Sequence, residues 1–308
     1  MCIKLSICIP TYNRLNYIKL CLESIFDARK GYEDEVEIIV SNNASTDSTD
    51  DYLKSIKEKN FRYYRNEENL GFNRNLFLLV DQYAVGEYVW TIGDDDYVSI
   101  DSIKLFFSLP KGFNVLLMKY IVIEEHSRIE NCKKQRDLSI NESAYNVAID
   151  KIADFGNLLA TFMSCAIFKK IYFNKIDKRS ILDNDWISFS KVFPNGYLLF
   201  NSFSKMQGVF WTNEPFVFVV NRKKEWDDAM RILCSYTLPM FYFYVRGNSK
   251  IRYLPNTSFM LYKHLLKALL FDNSIKKFAV IVRILKMNPI INTYKLFVEL
   301  MKRKHKSE

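Results

Sequence analysis

Three consecutive carboxylates, Asp94-Asp95-Asp96, follow Gly93 at the end of an apolar, strand-like run, Glu87-Tyr88-Val89-Trp90-Thr91-Ile92. Carboxylates side by side at a strand end repel one another, and the cluster is costly unless a cation joins it. Oxygen-only ligands suit a hard divalent ion such as Mg²⁺ or Mn²⁺. An ion held this way keeps coordination positions that phosphate oxygens can fill, so the cluster reads as a site for a metal-bound diphosphate. Asp also serves acidic turns and helix N-caps, and a helix beginning near Asp101 would give it that simpler role. The company the aspartates keep favours the first reading.

That company starts at the other end of the chain. Ile3-Lys4-Leu5-Ser6-Ile7-Cys8-Ile9 is a β-branched apolar run, and Pro10-Thr11-Tyr12-Asn13-Arg14 turns it. Leu15, Ile18, Leu22 and Ile25 then fall on one helical face. A second strand over 36–40 runs into the polar stretch 41–49, which supplies an N-cap for a helix over roughly 48–58. A third short strand over 61–64 precedes Asn69-Leu70-Gly71-Phe72-Asn73-Arg74-Asn75 and a helix reaching residue 82. The fourth strand leads to the aspartates. This β-α-β-α-β-α-β alternation predicts an α/β fold with a mostly parallel sheet covered on both faces. Such sheets bind ligands beyond the carboxyl ends of their strands, where this chain has polar residues rather than plain turns.

Four segments carry a resemblance: Ile7 through Arg14, Ser41-Asn42-Asn43-Ala44-Ser45-Thr46-Asp47, Asn69-Leu70-Gly71-Phe72 with Arg74-Asn75, and Gly86 through Asp96. In this order and spacing the first hundred residues resemble bacterial family 2 glycosyltransferases, of the kind that build O-antigen or capsule. The resemblance implies a GT-A fold, Rossmann-like and flanked by helices, a nucleotide-sugar donor, Mn²⁺ or Mg²⁺, and inversion at the anomeric carbon. Position by position, Pro10 and Tyr12 would lie against the nucleotide base, with Thr11, Asn13 and Arg14 completing that turn. Asn43 would face the base edge, where many relatives carry Asp. An amide both donates and accepts, so a pyrimidine remains compatible and a UDP-sugar is the favoured donor. Arg74 would meet the base or the diphosphate. Asp94 and Asp95 would hold the ribose and support the site, while Asp96, aided by Asp94, would bind the metal. The family pattern is Asp-x-Asp-Asp, and Gly93 departs from it.

An inverting transfer also needs a base for the acceptor hydroxyl. Family members place it in an acidic pair ahead of an aromatic-containing helix, which here corresponds to Leu182-Asp183-Asn184-Asp185-Trp186. Asp185 is the expected base and Asp183 the second candidate; a helix N-cap is the structural alternative.

Composition fits a folded enzyme: 308 residues, 49% of them hydrophobic, can bury a sizeable core. No Gly-x-Gly-x-x-Gly or Gly-Lys-Ser/Thr loop is present, which argues against dinucleotide-binding and P-loop classes. The six cysteines include no Cys-x-x-Cys pair, and the first apolar run is short and broken by Lys4 and Ser6. A cytoplasmic setting without a signal peptide is expected. Further strands are expected over 114–123, 161–168 and 215–220, and the polar stretch 124–141 reads as a mobile loop near the acceptor.

Charge is unevenly distributed. Residues 249–308 hold thirteen Lys or Arg against Asp272, Glu299 and Glu308, so the remainder of this +9 chain is close to neutral. Phe259, Leu265, Leu269, Ile281 and Leu285 recur there at helical spacing. No apolar run reaches the roughly twenty residues of a spanning helix, and basic helices with an apolar face suit an anionic membrane surface. The expected organisation is a catalytic domain over 1–225, divided into a donor half (1–110) and an acceptor half (111–225), and a basic helical region over 226–308. That region would contact the inner face of the plasma membrane, and the acceptor would be a glycan or lipid-linked glycan. Nucleic acid is not an expected partner. Two alternatives remain open at this stage: a metal-dependent nucleotidyltransferase, and a catalytically silent family member that binds a membrane or partner.

Overall fold

The computed structural model describes residues 2–143, 163–174 and 208–220. All of them belong to one compact unit, Met1–Trp186 with Phe193–Arg222. The expected acidic pair at 183–185, the basic region over 226–308 and parts of the expected acceptor half lie outside the described residues.

The chain opens with β1 (Leu5–Thr11), α1 (Leu15–Arg29), β2 (Val36–Asn42), α2 (Thr49–Ser55), β3 (Phe61–Arg65) and α3 (Phe72–Leu78), which runs on into a π-helical turn at Leu79–Tyr83. Next come β4 (Tyr88–Thr91), β5 (Asp96–Val98), α4 (Ser102–Ser108), β6 (Val115–Ile123), α5 (Arg128–Lys133), β7 (Ile140–Ser143), β8 (Ala166–Lys169), α6 (Lys170–Phe173) and β9 (Val209–Val220). Among the described residues the strands form one nine-stranded sheet in the order β3-β2-β1-β4-β8-β6-β9-β5, with β7 also on β9. From β3 to β4 every pair is parallel, as the alternation predicts. Beyond β4 directions mix: β8 is antiparallel to β4 and β6, while β6 and β9 are parallel. Every residue of β1 and β2 is buried, the pattern of strands covered on both faces. Helix α1 buries Ile18, Cys21, Leu22 and Ile25, the stripe expected from its three- and four-residue spacing.

Pro10 is tolerated in central strand β1 for a topological reason. Alternate residues of a strand direct their backbone groups to opposite neighbours. The Cys8 carbonyl accepts from Ile92 on the β4 side, and the Thr11 carbonyl accepts from Asn43 on the β2 side. Pro10 shares the polarity of Cys8, but β1 and β4 pair only as far as Cys8 opposite Thr91. The next rung on that side would run from residue 10 N to the Ile92 carbonyl; proline cannot donate it, and the β1–β4 ladder ends there. Strands β1 and β4 diverge from that point.

The stretch 124–141 differs from its expectation. Helix α5 places Cys132 in a cluster with Tyr97, Ile123, Phe218 and Val220. Arg128 lies over the Tyr97 ring at 5.3 Å and Arg136 over Phe218 at 5.1 Å. Arg136 N donates to Asp101 Oδ2 at 2.8 Å. The segment is polar in composition because arginine stems and one cysteine cover the sheet, work that apolar residues more often do. Among the described residues no helix is long and apolar enough to cross a membrane.

Gly86 enters β4 against β1. A Cβ there would sit 2.7 Å from Ser6 N and 2.9 Å from the Tyr88 carbonyl. Gly86 N also donates to Ser6 Oγ at 2.8 Å, and Ser6 in turn donates to buried Glu37. We expect Gly86→Ala to destabilise by about 2 kcal/mol through overpacking against backbone. Differential scanning calorimetry should show a fall in Tm of roughly 4–8 °C.

Candidate functional site

Strand order reverses between β1 and β4, since the chain moves outward through β2 and β3 on one side and through β8 on the other. The crevice beyond the carboxyl ends of two such strands is where open α/β sheets bind ligands. Here β1 delivers Thr11 through Arg14 to one lip, and β4 delivers Gly93 through Asp96 to the other.

Charge contacts join the two lips. Thr11 Oγ1 donates to Asp94 Oδ2 at 2.7 Å, and Arg14 Nη1 lies 3.3 Å from Asp94 Oδ1 and 3.0 Å from Asp95 Oδ2. Burial pushes the Asp94 carboxyl up to about 7, with the Asp95 charge adding to the rise and Arg14 and Thr11 opposing it. The three carboxylates are not equivalent. The Asp94 side chain is 9% exposed and the Asp95 side chain 26% exposed. Asp96 is buried as the first residue of β5, opposite Val219, and its Oδ2 accepts from Ser164 Oγ at 2.5 Å. Ser164 Oγ also accepts from Gly93 N at 2.9 Å. A Cβ on Gly93 would sit 2.8 Å from Asp96 Oδ2. Asp96, bonded to Ser164, folds back over that position, and a side chain there would have to displace its carboxylate.

A second polar cluster lies at the ends of β2 and β3. Asn43 N donates to the Thr11 carbonyl, which seats Asn43 beside the β1 lip. Asn43 Oδ1 accepts from Asn66 Nδ2 and Leu70 N, each at 2.9 Å, and Asn43 Nδ2 donates to Asn69 Oδ1 at 2.7 Å. Asn75, buried on α3, accepts from Ser41 Oγ at 2.6 Å and from Asn66 at 2.9 Å. Asn13 Oδ1 accepts from Thr46 N at 2.7 Å, and Asn13 N donates to Ser45 Oγ at 2.9 Å. The turns at both ends require left-handed backbone at Asn13 (φ 52°) and Ala44 (φ 62°); Asn accepts this readily and Ala does not. Asp50 closes the outer side, accepting from Asn42 Nδ2 at 3.1 Å and from the Tyr63 hydroxyl, with Arg65 3.3 Å away.

The expected donor residues thus gather around one crevice: Thr11, Tyr12, Asn13 and Arg14 on one lip, Asp94, Asp95 and Asp96 on the other, and Asn43 alongside. Tyr12 is 42% exposed, whereas Pro10 is buried in its strand and Thr11 points to Asp94. Arg74 is exposed on the first turn of α3, next to buried Asn73 and Asn75. Asp183 and Asp185 lie outside the described residues. Sequence reasoning gave no role to Ser164, Asn66 or Asn69. Ser164 is some seventy positions from its partners and carries no local signal. Asn66 and Asn69 sit in an Asn-rich turn that could have marked a side-chain network.

The donor chemistry suits a hard cation held partly by substrate. Among the described residues no cluster of three or more His, Cys, Asp or Glu is arranged to hold a metal by itself. Magnesium-type sites commonly use one or two carboxylates and complete their shell with water and substrate phosphates. Asp95, with Asp96 beside it, meets that description.

Known proteins share the family and the fold of this chain. The model of the family described as glycosyl transferase family 2 matches residues 6–176, more than half of the chain. The abequosyltransferase RfbV of Salmonella typhimurium is 40% identical over 105 residues, 33% of this chain and 31% of that protein. The poly(ribitol-phosphate) beta-glucosyltransferase of Bacillus spizizenii is 32% identical over 113 residues, 35% of this chain and 17% of that protein. The chain therefore spans less than a third of the length of these relatives. Among solved structures, S. aureus TarS 1–349 in complex with UDP-GlcNAc superposes with a TM-score of 0.61 at 16% identity, covering 92% of this chain and 80% of TarS. The mannosyltransferase PcManGT from Pyrobaculum calidifontis, in complex with GDP-Man and Mn²⁺, gives 0.53 at 16% identity, covering 97% and 85%. The fold is GT-A.

Two stability predictions follow from these bonds. Arg14→Met leaves Asp94 and Asp95 facing each other without their counter-charge. Losing charge-assisted bonds at a largely buried pair should cost about 2 kcal/mol, read as a Tm lower by roughly 4–8 °C at pH 7. At Asp50 burial opposes the charged form, but bonds from Lys54 and Tyr63 and the charge of Arg65 outweigh it and hold the carboxyl at about 2, below its usual 3.8. A depressed folded pKa stabilises above the unfolded value and is lost as pH falls through the folded one. We expect Asp50→Asn to lower Tm by roughly 2–4 °C at pH 7 for about 1 kcal/mol, with the gap to wild type closing between about pH 4 and pH 2.

Proposed function

The chain belongs to glycosyl transferase family 2, and from that premise we propose that it is an inverting glycosyltransferase, moving a sugar from a nucleoside-diphosphate sugar to a hydroxyl of a glycan or lipid-linked glycan in bacterial surface polysaccharide synthesis. The observation that carries this reading is the pairing of lips at the strand switch point. Thr11 binds Asp94, Arg14 bridges Asp94 and Asp95, and Asp95 is the most exposed carboxylate of the three.

In this proposal Tyr12, exposed beside Asn43, stacks on the base, and Pro10 fixes the start of that turn. Asn13 and its bonds to Ser45 and Thr46 hold the turn in shape. Arg14 and exposed Arg74 supply positive charge toward the diphosphate. A divalent ion, Mn²⁺ or Mg²⁺, would supply charge against the departing nucleoside diphosphate. The sequence assigned that ion to Asp96 and Asp94; the exposures favour Asp95 as its first ligand with Asp96 beside it, and Asp94 as the floor of the site. The acceptor hydroxyl attacks the anomeric carbon, the bond to the diphosphate oxygen breaks, and the hydroxyl proton passes to a carboxylate. Asp185, with Asp183 second, is the proposed base on the strength of its place ahead of Trp186. The excess of basic residues over 249–308 supports a further proposal, contact with an anionic membrane on its cytoplasmic face.

The deciding experiment is a thermal-shift panel of nucleoside diphosphates, each with and without Mn²⁺, on wild type and Asp95→Asn. At a hundredfold excess over Kd, a ligand specific to the folded protein should add about 2.7 kcal/mol of stability. Wild type should respond to at least one nucleotide only when metal is present. Asp95→Asn should keep the unliganded Tm within a few degrees and lose the metal-dependent shift. A melt unmoved by every nucleotide, with or without metal, would overturn the reading.

A further inference from the structure

The geometry at Asn43 deepens this reading by naming the base, and it rests on that reading's donor site. Side-chain amide orientation is ordinarily an assignment, but two backbone N–H groups settle it here. The Leu70 N–H can only donate, so the Asn43 atom 2.9 Å from it is Oδ1. The Gly71 N–H likewise identifies Asn69 Oδ1 at 2.9 Å. The Asn43 atom 2.7 Å from that oxygen must then be Nδ2. Asn43 Oδ1 also accepts from Asn66 Nδ2 at 2.9 Å. An amide oxygen has two lone pairs and an amide nitrogen two N–H groups. Both lone pairs are therefore spent inside the protein. One N–H goes to Asn69, and no other described residue accepts the second.

We propose that Asn43 presents this single N–H to the donor base and so selects cytosine over uracil. Cytosine N3 is a bare lone pair and can accept. Uracil and thymine carry a hydrogen on N3, as guanine does on N1. A uracil with N3 opposite Asn43 would set N–H against N–H. Shifted so that O2 or O4 takes the Asn43 N–H, it would still find no acceptor for its N3–H on Asn43, a residue only 3% exposed. Sites that reject a base or substituent through an unpaired buried polar group discriminate strongly. The uridine expectation relied on an amide free to accept as well as donate; in the fold its acceptor is used up. Asn43 and Asn69 form a matched pair, because Asp at position 43 would keep the bonds from Leu70 and Asn66 but set a second oxygen against Asn69 Oδ1. Replacing Asn69 by Ser removes that conflict, since a hydroxyl can accept from Gly71 N and donate to the carboxylate.

Isothermal titration of the full chain with CDP and UDP, in Mn²⁺, tests the assignment directly. CDP should bind wild type at least about tenfold more tightly than UDP. The double variant Asn43→Asp/Asn69→Ser, checked for folding by its melt, should lose that preference and shift toward UDP. UDP binding to wild type as tightly as CDP would overturn the assignment of the base while leaving the donor site in place. A folded double variant that retains the CDP preference would also overturn it. Absence of binding by either nucleotide would overturn the donor-site reading and the inference with it. Should the double variant fail to fold, the two wild-type titrations decide alone.

Discussion

Two neighbouring carboxylates at the end of a buried strand repel each other, and that repulsion must be balanced before the sheet edge can take any shape. Arg14 does this from the opposite strand, reaching both Asp94 and Asp95, while Thr11 donates to the more buried of the two. The bridge spans the fork where β1 and β4 stop pairing. It therefore closes the base of a crevice that strand divergence opens. Burial still holds the Asp94 carboxyl at about 7, so Arg14 and Thr11 offset its desolvation only in part.

The amide cluster beside this crevice works by a different principle. Asn43, Asn66, Asn69 and Asn75 exchange hydrogen bonds with one another and with backbone groups at the ends of β2 and α3. A buried polar group left unpaired is costly, and a fully paired set is rigid and specific. These four amides lock the loop ends that carry Asn43, which precedes the left-handed backbone at Ala44. Rigidity here has a functional consequence, because it sets which polar atoms remain for a ligand to meet.

Much of the donor half was legible in the chain. Alternating apolar runs and helical stripes locate β1 to β4 and α1, because local periodicity is dictated by burial on one face or two. The clustering of Thr11, Arg14, Asn43 and the aspartates was legible too, since parallel strands deliver their carboxyl ends to one edge. Other features were not. Ser164 reaches Gly93 and Asp96 only because β8 docks antiparallel to β4, and strand direction between distant segments leaves no local mark. The stretch 124–141 looked like a loop because Cys132 and the stems of Arg128, on α5, and Arg136, beyond it, cover the sheet in place of an apolar stripe.

The sequence by itself determined the order of elements, the parallel arrangement from β3 to β4, and the presence of three carboxylates and a polar amide at strand ends. Those follow from side-chain type and spacing, which act locally. Only the tertiary structure decided what each of those groups has left to offer. Asp94 is bonded to Thr11, Asp96 to Ser164, Arg14 bridges Asp94 and Asp95, and Asp95 is the most exposed of the three. The Asp96 carboxylate folds over Gly93. Asn43 is a donor because Leu70 and Asn66 have taken both of its oxygen lone pairs. Hydrogen-bonding capacity is a property of the residue, but what remains of it depends on neighbours brought in from elsewhere in the chain.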